Sequence, residues 1–174
     1  MAPDWSKPTL RGAAVTLRPY RDDDFDATWE MVHEPEGNDL TATTASFTEP
    51  QIRDWIAKIA AAPDRLDLVV EEAATGEYAG EVVLNDYDAA ANRAHFRIAL
   101  RGPAWYGRGL GTEATRMVRD YAFGPLGIDA IVLEVLARNP RARRAYEKAG
   151  FAVSREYVED GVAWVEMVAS REAA

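Results

Sequence analysis

The chain has no cysteine, which excludes disulfides and thiolate metal sites. It also lacks any apolar run long enough to cross a bilayer, and its N-terminus shows no signal-peptide pattern. The expectation is a soluble, cytoplasmic protein with no membrane partner. Positive charge is scarce: 20 Lys and Arg stand against 29 Asp and Glu, a formal net charge of −9. Phosphate backbones need a basic face, so nucleic acid is not expected as a main partner. The acidic excess suits solubility, or a cationic substrate drawn toward an acidic cleft. Internal repeats and low-complexity linkers are absent as well.

What remains is ordinary globular composition, 48% hydrophobic and 28% charged over 174 residues. That predicts a single domain over 1–174 with a sizeable core. "AAVTLRPY" (13–20) alternates and ends near Pro19, as a strand does. "RDDDFDATWEMVHE" (21–34) sets aspartates before an apolar stripe and reads as a helix. "PEGNDLTATTASF" reads as irregular, a substrate loop or a connection. Thr48 and Gln51 form a capping-box pair opening a helix over 48–62. Strands follow at 67–73, 78–87 and 94–100, a helix at about 110–123, and an apolar strand at 130–137. Asn139, Pro140 and Gly150 punctuate a further helix. Asp160-Gly161 joins two last strands as a hairpin. The order predicts a mixed α/β (α+β) fold.

One stretch asks for more than folding. "AWYGRGLGTEA" (104–114) spaces Gly107, Gly109 and Gly111 at alternate positions just before a helix. Bared N–H groups at a helix N-terminus make a concavity of partial positive charge that accepts a phosphate or pyrophosphate. Arg108 could add a charge-assisted contact. Neither the P-loop nor the dinucleotide spacing is present. A tight turn with close packing is the alternative, and the run alone does not decide between them.

The run has company. "LRPYRDDD" (17–24), "NRAHFRIAL" (92–100), "YGRGLGTEA" (106–114) and "ARNPRARRAYEKAGF" (137–151) together resemble the GNAT superfamily of acetyl-CoA-dependent N-acyltransferases. The likeness is nearest to its RimJ/RimL-like branch, which includes ribosomal-protein N-terminal and polyamine acetyltransferases. The resemblance implies a GNAT fold: a mostly antiparallel sheet of about seven strands, splayed at the fourth, with about four flanking helices. It implies acetyl transfer from acetyl-CoA to a primary amine by direct attack, with no metal. The acceptor would be a small-molecule amine or a protein N-terminus. Monomer and homodimer are both open. The rival reading is a non-catalytic acyl-CoA-binding or sensing module on the same fold.

The resemblance also implies residue roles. Ile98, Ala99 and Leu100 would pair with the pantetheine arm as an added strand does, one N–H stabilising the oxyanion. Tyr106, Gly107, Arg108, Gly109, Leu110, Gly111 and Thr112 would hold the pyrophosphate. Tyr106 departs from the family's leading Gln or Arg in Q/R-x-x-G-x-G/A. Asn139, a helix cap, would also reach the coenzyme, and Arg141 and Arg143 lie in the region along its phosphates, a solvated face being their alternative. Tyr146 would protonate the departing thiolate; core filling is its alternative role. His95 is a candidate base, with Glu81 or Asn85 acting through water as alternatives. Polyamine-type relatives tend to carry an acid at that point, so His95 is a second departure. Trp29, His33, Glu34, Glu81, Asn85 and Tyr87 are expected to contact the acceptor.

Overall fold

A computed structural model describes residues 2–172. The strands are β1 (Leu10–Arg11), β2 (Val15–Pro19), β3 (Leu66–Glu72), β4 (Tyr78–Asp88), β5 (Arg93–Leu100), β6 (Ala130–Leu136), β7 (Ala152–Glu159) and β8 (Val162–Ser170). The helices are α1 (Phe25–Val32), α2 (Pro35–Leu40), α3 (Glu49–Ala61), α4 (Leu110–Phe123) and α5 (Pro140–Lys148). The strands form one eight-stranded sheet in the order β1-β2-β3-β4-β5-β6-β8-β7. Every pairing is antiparallel except β5 with β6. No helix among the described residues is long and apolar enough to cross a membrane.

Capping residues fix the helix ends. Thr48 Oγ1 accepts from Gln51 N–H, and Gln51 Oε1 accepts from Thr48 N–H at 2.8 Å. This reciprocal box satisfies two otherwise orphaned donors. Ile52, Ile56 and Ile59 then fall on one buried face. Asp160 and Gly161 both take positive φ, 51° and 77°, as a tight hairpin turn requires.

Two elements exceed the expected count. Residues 35–40, expected to be irregular, form α2, because Pro35 starts the turn and the Glu34 carboxylate accepts from Glu36 and Gly37 N–H. β1 spans two residues, too short to leave a periodic signal. The aspartate run also differs from expectation. Residues 22–24 form a 3₁₀ turn, with buried Asp24 paired to Arg18 at 2.7 Å.

Helices cover both faces of the sheet. α4 lies over Leu17, Leu68, Leu84, Phe96, Leu133 and Met167 in the larger core. On the opposite face, Met31 of α1 and the isoleucines of α3 pack with Tyr20, Val69 and Tyr78. Each fully buried aliphatic side chain contributes roughly 1.5–3 kcal/mol.

The sheet parts between β5 and β6. Their parallel register ends at His95 opposite Val132. β5 continues with β4 to Leu100 opposite Gly80, while β6 continues with β8 to Leu136 opposite Trp164. Residues 96–100 therefore have a strand on one side only.

Candidate active site

The glycine run stands open at the end of that divergence. Gly107 and Gly109 have φ of +68° and +77°, and a Cβ on either would meet nothing within 4 Å. Left-handed backbone, not crowding, is what calls for glycine here. α4 begins without a side-chain cap, its first bond running from Glu113 N–H to Gly109 C=O at 3.1 Å. The N–H groups of Leu110, Gly111 and Thr112 have no acceptor among the described residues. Such a terminus is suited to an anion.

The edge of β5 leads into this cradle. Ile98, Ala99 and Leu100 pair only with β4. Gly80 makes that pairing close: a Cβ there would overlap Ala99 C=O and sit 2.9 Å from Leu100 Cα. Beyond Leu100, Arg101 N–H donates to Ala79 C=O at 2.7 Å. Arg101 also pairs with Glu30 at 2.7 Å, tying α1 to the tip of β5.

The arginines divide. Arg108 turns away from the cradle to pair with Glu72 at the end of β3, its guanidinium 5.1 Å from the Trp105 ring. Arg108, expected to contact an anion in the loop, has a carboxylate as its partner in this structure. Arg143 likewise pairs with Glu147 at 3.1 Å and faces Glu156 at 3.9 Å. Arg141 instead lies over the Tyr106 ring, 3.8 Å from its centroid.

Asn139 is a cap first. Its Oδ1 accepts from Ala142 N–H at 3.3 Å, and its Nδ2 donates to Leu40 C=O at 3.5 Å, joining α5 to α2. Tyr146, two turns along α5, is half-buried against the larger core, 6.1 Å from the Phe151 ring. Burial pushes its hydroxyl up to about 12. No described protein group hydrogen-bonds that hydroxyl. Among the described residues, Asn85 Oδ1 is the one fully buried side-chain nitrogen or oxygen without a partner.

Glu81 is buried and lies in register opposite Ala99. Tyr20 Oη donates to Glu81 Oε2 at 2.7 Å and lies 2.9 Å from Tyr78 Oη. Thr28 Oγ1 reaches Tyr78 Oη at 3.5 Å. Burial raises the Glu81 carboxyl, opposed by nearby Arg97 and by the Tyr20 bond. Burial likewise raises both tyrosines. His95, half-buried, is the last β5 residue paired to β6 and lies opposite Asn85. Strand alternation sets His95 on the face away from α4, the face that carries Glu81.

Comparison with known proteins decides the family. The family described as acetyltransferase (GNAT) domain matches residues 14–152. The chain belongs to the GNAT acetyltransferases. It is 30% identical over 152 residues to the spermidine N(1)-acetyltransferase of Escherichia coli K12, covering 84% of this chain and 77% of that protein. Among solved structures, the spermidine N-acetyltransferase of Vibrio cholerae, in complex with CoA and spermine, superposes with a TM-score of 0.82. That match has 21% identity and covers 91% of this chain and 96% of the other. A putative ribosomal-protein-serine acetyltransferase of Vibrio cholerae superposes at 0.78, with 16% identity over 98% and 100% of the two chains. The GNAT fold is therefore the fold of this chain.

On this GNAT domain the six expected acceptor residues do not all share one place. Trp29 is 38% exposed, with the His33 ring 4.1 Å away. His33 also bridges Trp29 C=O at 2.7 Å and Phe47 C=O at 3.1 Å, pinning the segment after α2. Glu34 is committed to capping α2. Tyr87 does not belong with the others. Its hydroxyl donates to Asn92 Oδ1 at 2.9 Å and its ring meets Trp5 edge-on at 5.9 Å. A register shift between Asn85 and Asp88 turns that end of β4 into the hairpin's support.

Tyr20, Tyr78 and Gly80 were not expected at the site. Gly80 alone left a signal, as a glycine inside a strand.

Proposed function

We propose that this chain transfers an acetyl group from acetyl-CoA to a primary amine by direct attack, without a covalent enzyme intermediate. One observation carries the reading: the unpaired edge of β5 runs straight into the uncapped amides that begin α4. The residues present fit the coenzyme on their own chemistry. An open strand edge takes an extended amide-bearing arm, and a bare helix N-terminus takes a pyrophosphate. Bound acetyl-CoA supplies the activated thioester. Ile98, Ala99 and Leu100 orient the arm, with an amide N–H of β5 facing the carbonyl oxygen as charge develops. Gly107, Gly109, Leu110, Gly111 and Thr112 hold the pyrophosphate.

Tyr146 keeps its proton at neutral pH, since burial raises its hydroxyl, and gives it to the departing thiolate. The proton of the incoming ammonium passes to Glu81 through water. Glu81 is preferred to His95 because it faces Ala99 directly, while His95 lies where β5 and β6 separate. Its raised carboxyl suits it to that exchange. His95 stands as the second candidate base.

We place the enzyme in the RimJ/RimL-like branch, as a cytoplasmic protein with a single acetyltransferase domain. The likeness to a spermidine acetyltransferase over most of both chains favours a small polyamine as acceptor, approaching past Trp29 and His33. A protein N-terminus is the second reading, favoured by the superposition on a ribosomal-protein-serine acetyltransferase. A panel of polyamines, aminoglycosides, amino-acid amides and short peptides, assayed for acetyl-CoA-dependent thiol release, separates the two. Release with polyamines supports the first, and release with peptides alone supports the second. Tight coenzyme binding with silence across small amines and peptides favours a non-catalytic binding module instead.

A further inference from the structure

Among the arginines near the cradle, Arg108, Arg138 and Arg143 each have a carboxylate partner. Arg141 and Arg144 of α5 have none among the described residues, and Arg141 stands in the first turn, where the helix dipole disfavours a cation. Its guanidinium is held by an aromatic face instead, 3.8 Å from the centroid of Tyr106. Tyr106 is itself pinned. A Cβ on Gly37 would lie 3.1 Å from Glu34 Oε2 and 3.5 Å from Tyr106 Oη, so the ring reaches the capped start of α2. Burial and the nearby Glu34 charge raise its hydroxyl, opposed by Arg141 itself, and the net upward direction keeps it neutral beneath the arginine.

Tyr106 opens the glycine loop, at the place where the family pattern has Gln or Arg. The loop therefore begins with a ring instead of a polar or charged side chain, and the ring brings in a cation from α5. We propose that Tyr106 is a positioning residue that sets Arg141 over the cradle, so that Arg141 supplies the loop's missing cation to the coenzyme pyrophosphate. This rests on the coenzyme reading given above. An aromatic face fixes a guanidinium without neutralising it, leaving its five N–H donors for an anion. A carboxylate in the same place would neutralise it, as Glu72 does for Arg108.

Calorimetry of CoA and dephospho-CoA binding to the purified full chain tests this without turnover. Arg141→Ala is expected to weaken both ligands about tenfold. Tyr106→Ala should weaken them by a similar factor, and the double variant no further, since neighbours acting as one unit are not additive. Tyr106→Phe keeps the stacking ring and should stay within about threefold of the native protein. Tyr106→Arg placed in the Arg141→Ala background should recover most of the loss. Additive losses overturn the proposal, as does native affinity in Tyr106→Ala. An Arg141→Ala defect confined to CoA and absent with dephospho-CoA also overturns it, because Arg141 then reads the 3′-phosphate. Absence of CoA binding by the native protein overturns the coenzyme reading itself, and this proposal with it.

Discussion

Glu81 faces Ala99 across the β4–β5 ladder, and the Tyr20 hydroxyl donates to its carboxylate at 2.7 Å. A buried acid is thereby set across the ladder from the segment of β5 whose other edge is free, held on one oxygen by a tyrosine from the end of β2. This hydrogen bond opposes the upward pull of burial on the Glu81 carboxyl. Removing it with Tyr20→Phe should raise that carboxyl further. A base must be ionised to act, so activity is lost as pH falls through its pKa. The acidic limb of kcat/KM against pH should move to higher pH in Tyr20→Phe, and should vanish with most of the activity in Glu81→Gln. An unmoved limb would assign the base elsewhere, with His95 next.

The same burial has a cost in stability. An acid raised in the folded state binds more protons there than in the unfolded chain. Stability is therefore lost as pH rises from the ordinary glutamate range through the raised value. Glu81→Gln removes that loss, and should match or exceed the native chain in urea denaturation at pH 7 while being inactive. Greater stability without activity is expected where function holds a charge in the core. Clear destabilisation at pH 7 would contradict it.

Gly80 permits the close approach of β4 and β5, since any Cβ would overlap the Ala99 carbonyl. Gly80→Ala should force the strands apart at Ala99, where the proposed reaction puts the thioester. The expected cost is about 1–3 kcal/mol, as for other overpacked sites, with a fall in coenzyme affinity. Denaturant titration and calorimetry read the two effects separately.

Gly109 behaves differently. Its φ of +77° disfavours a side chain, but the space around it is open. Gly109→Ala should cost only about 1–2 kcal/mol of stability, while placing a methyl group in the cradle. A clear loss of CoA affinity in a well-folded variant is expected. Native affinity would place the pyrophosphate elsewhere.

Local chemistry made much of this readable beforehand. The Thr48–Gln51 box, the Asn139 cap and the Asp160-Gly161 turn are set by neighbours within a few residues, and each is found in place. The glycine run likewise announced open backbone, because left-handed φ is a local demand. Partners distant in sequence were not readable. Nothing near residue 108 signals that Glu72 captures its guanidinium, and nothing near residue 141 signals the Tyr106 ring. Glu34 had the composition of an amine contact, yet Pro35 after it makes it a helix cap. Tyr87 was misplaced because the shift in register that redirects it exists only once β4 and β5 pair.

The most direct test of the account is Tyr146→Phe. Its phenol is half-buried without a described protein partner, and burial keeps it protonated to about pH 12. Thiol release from acetyl-CoA with a turnover-competent amine, measured beside calorimetric CoA affinity, separates chemistry from binding. The account predicts turnover reduced on the order of a hundredfold or more, with affinity for CoA nearly unchanged. Full turnover in Tyr146→Phe would contradict it, and the thiolate would have to take its proton from water or another group.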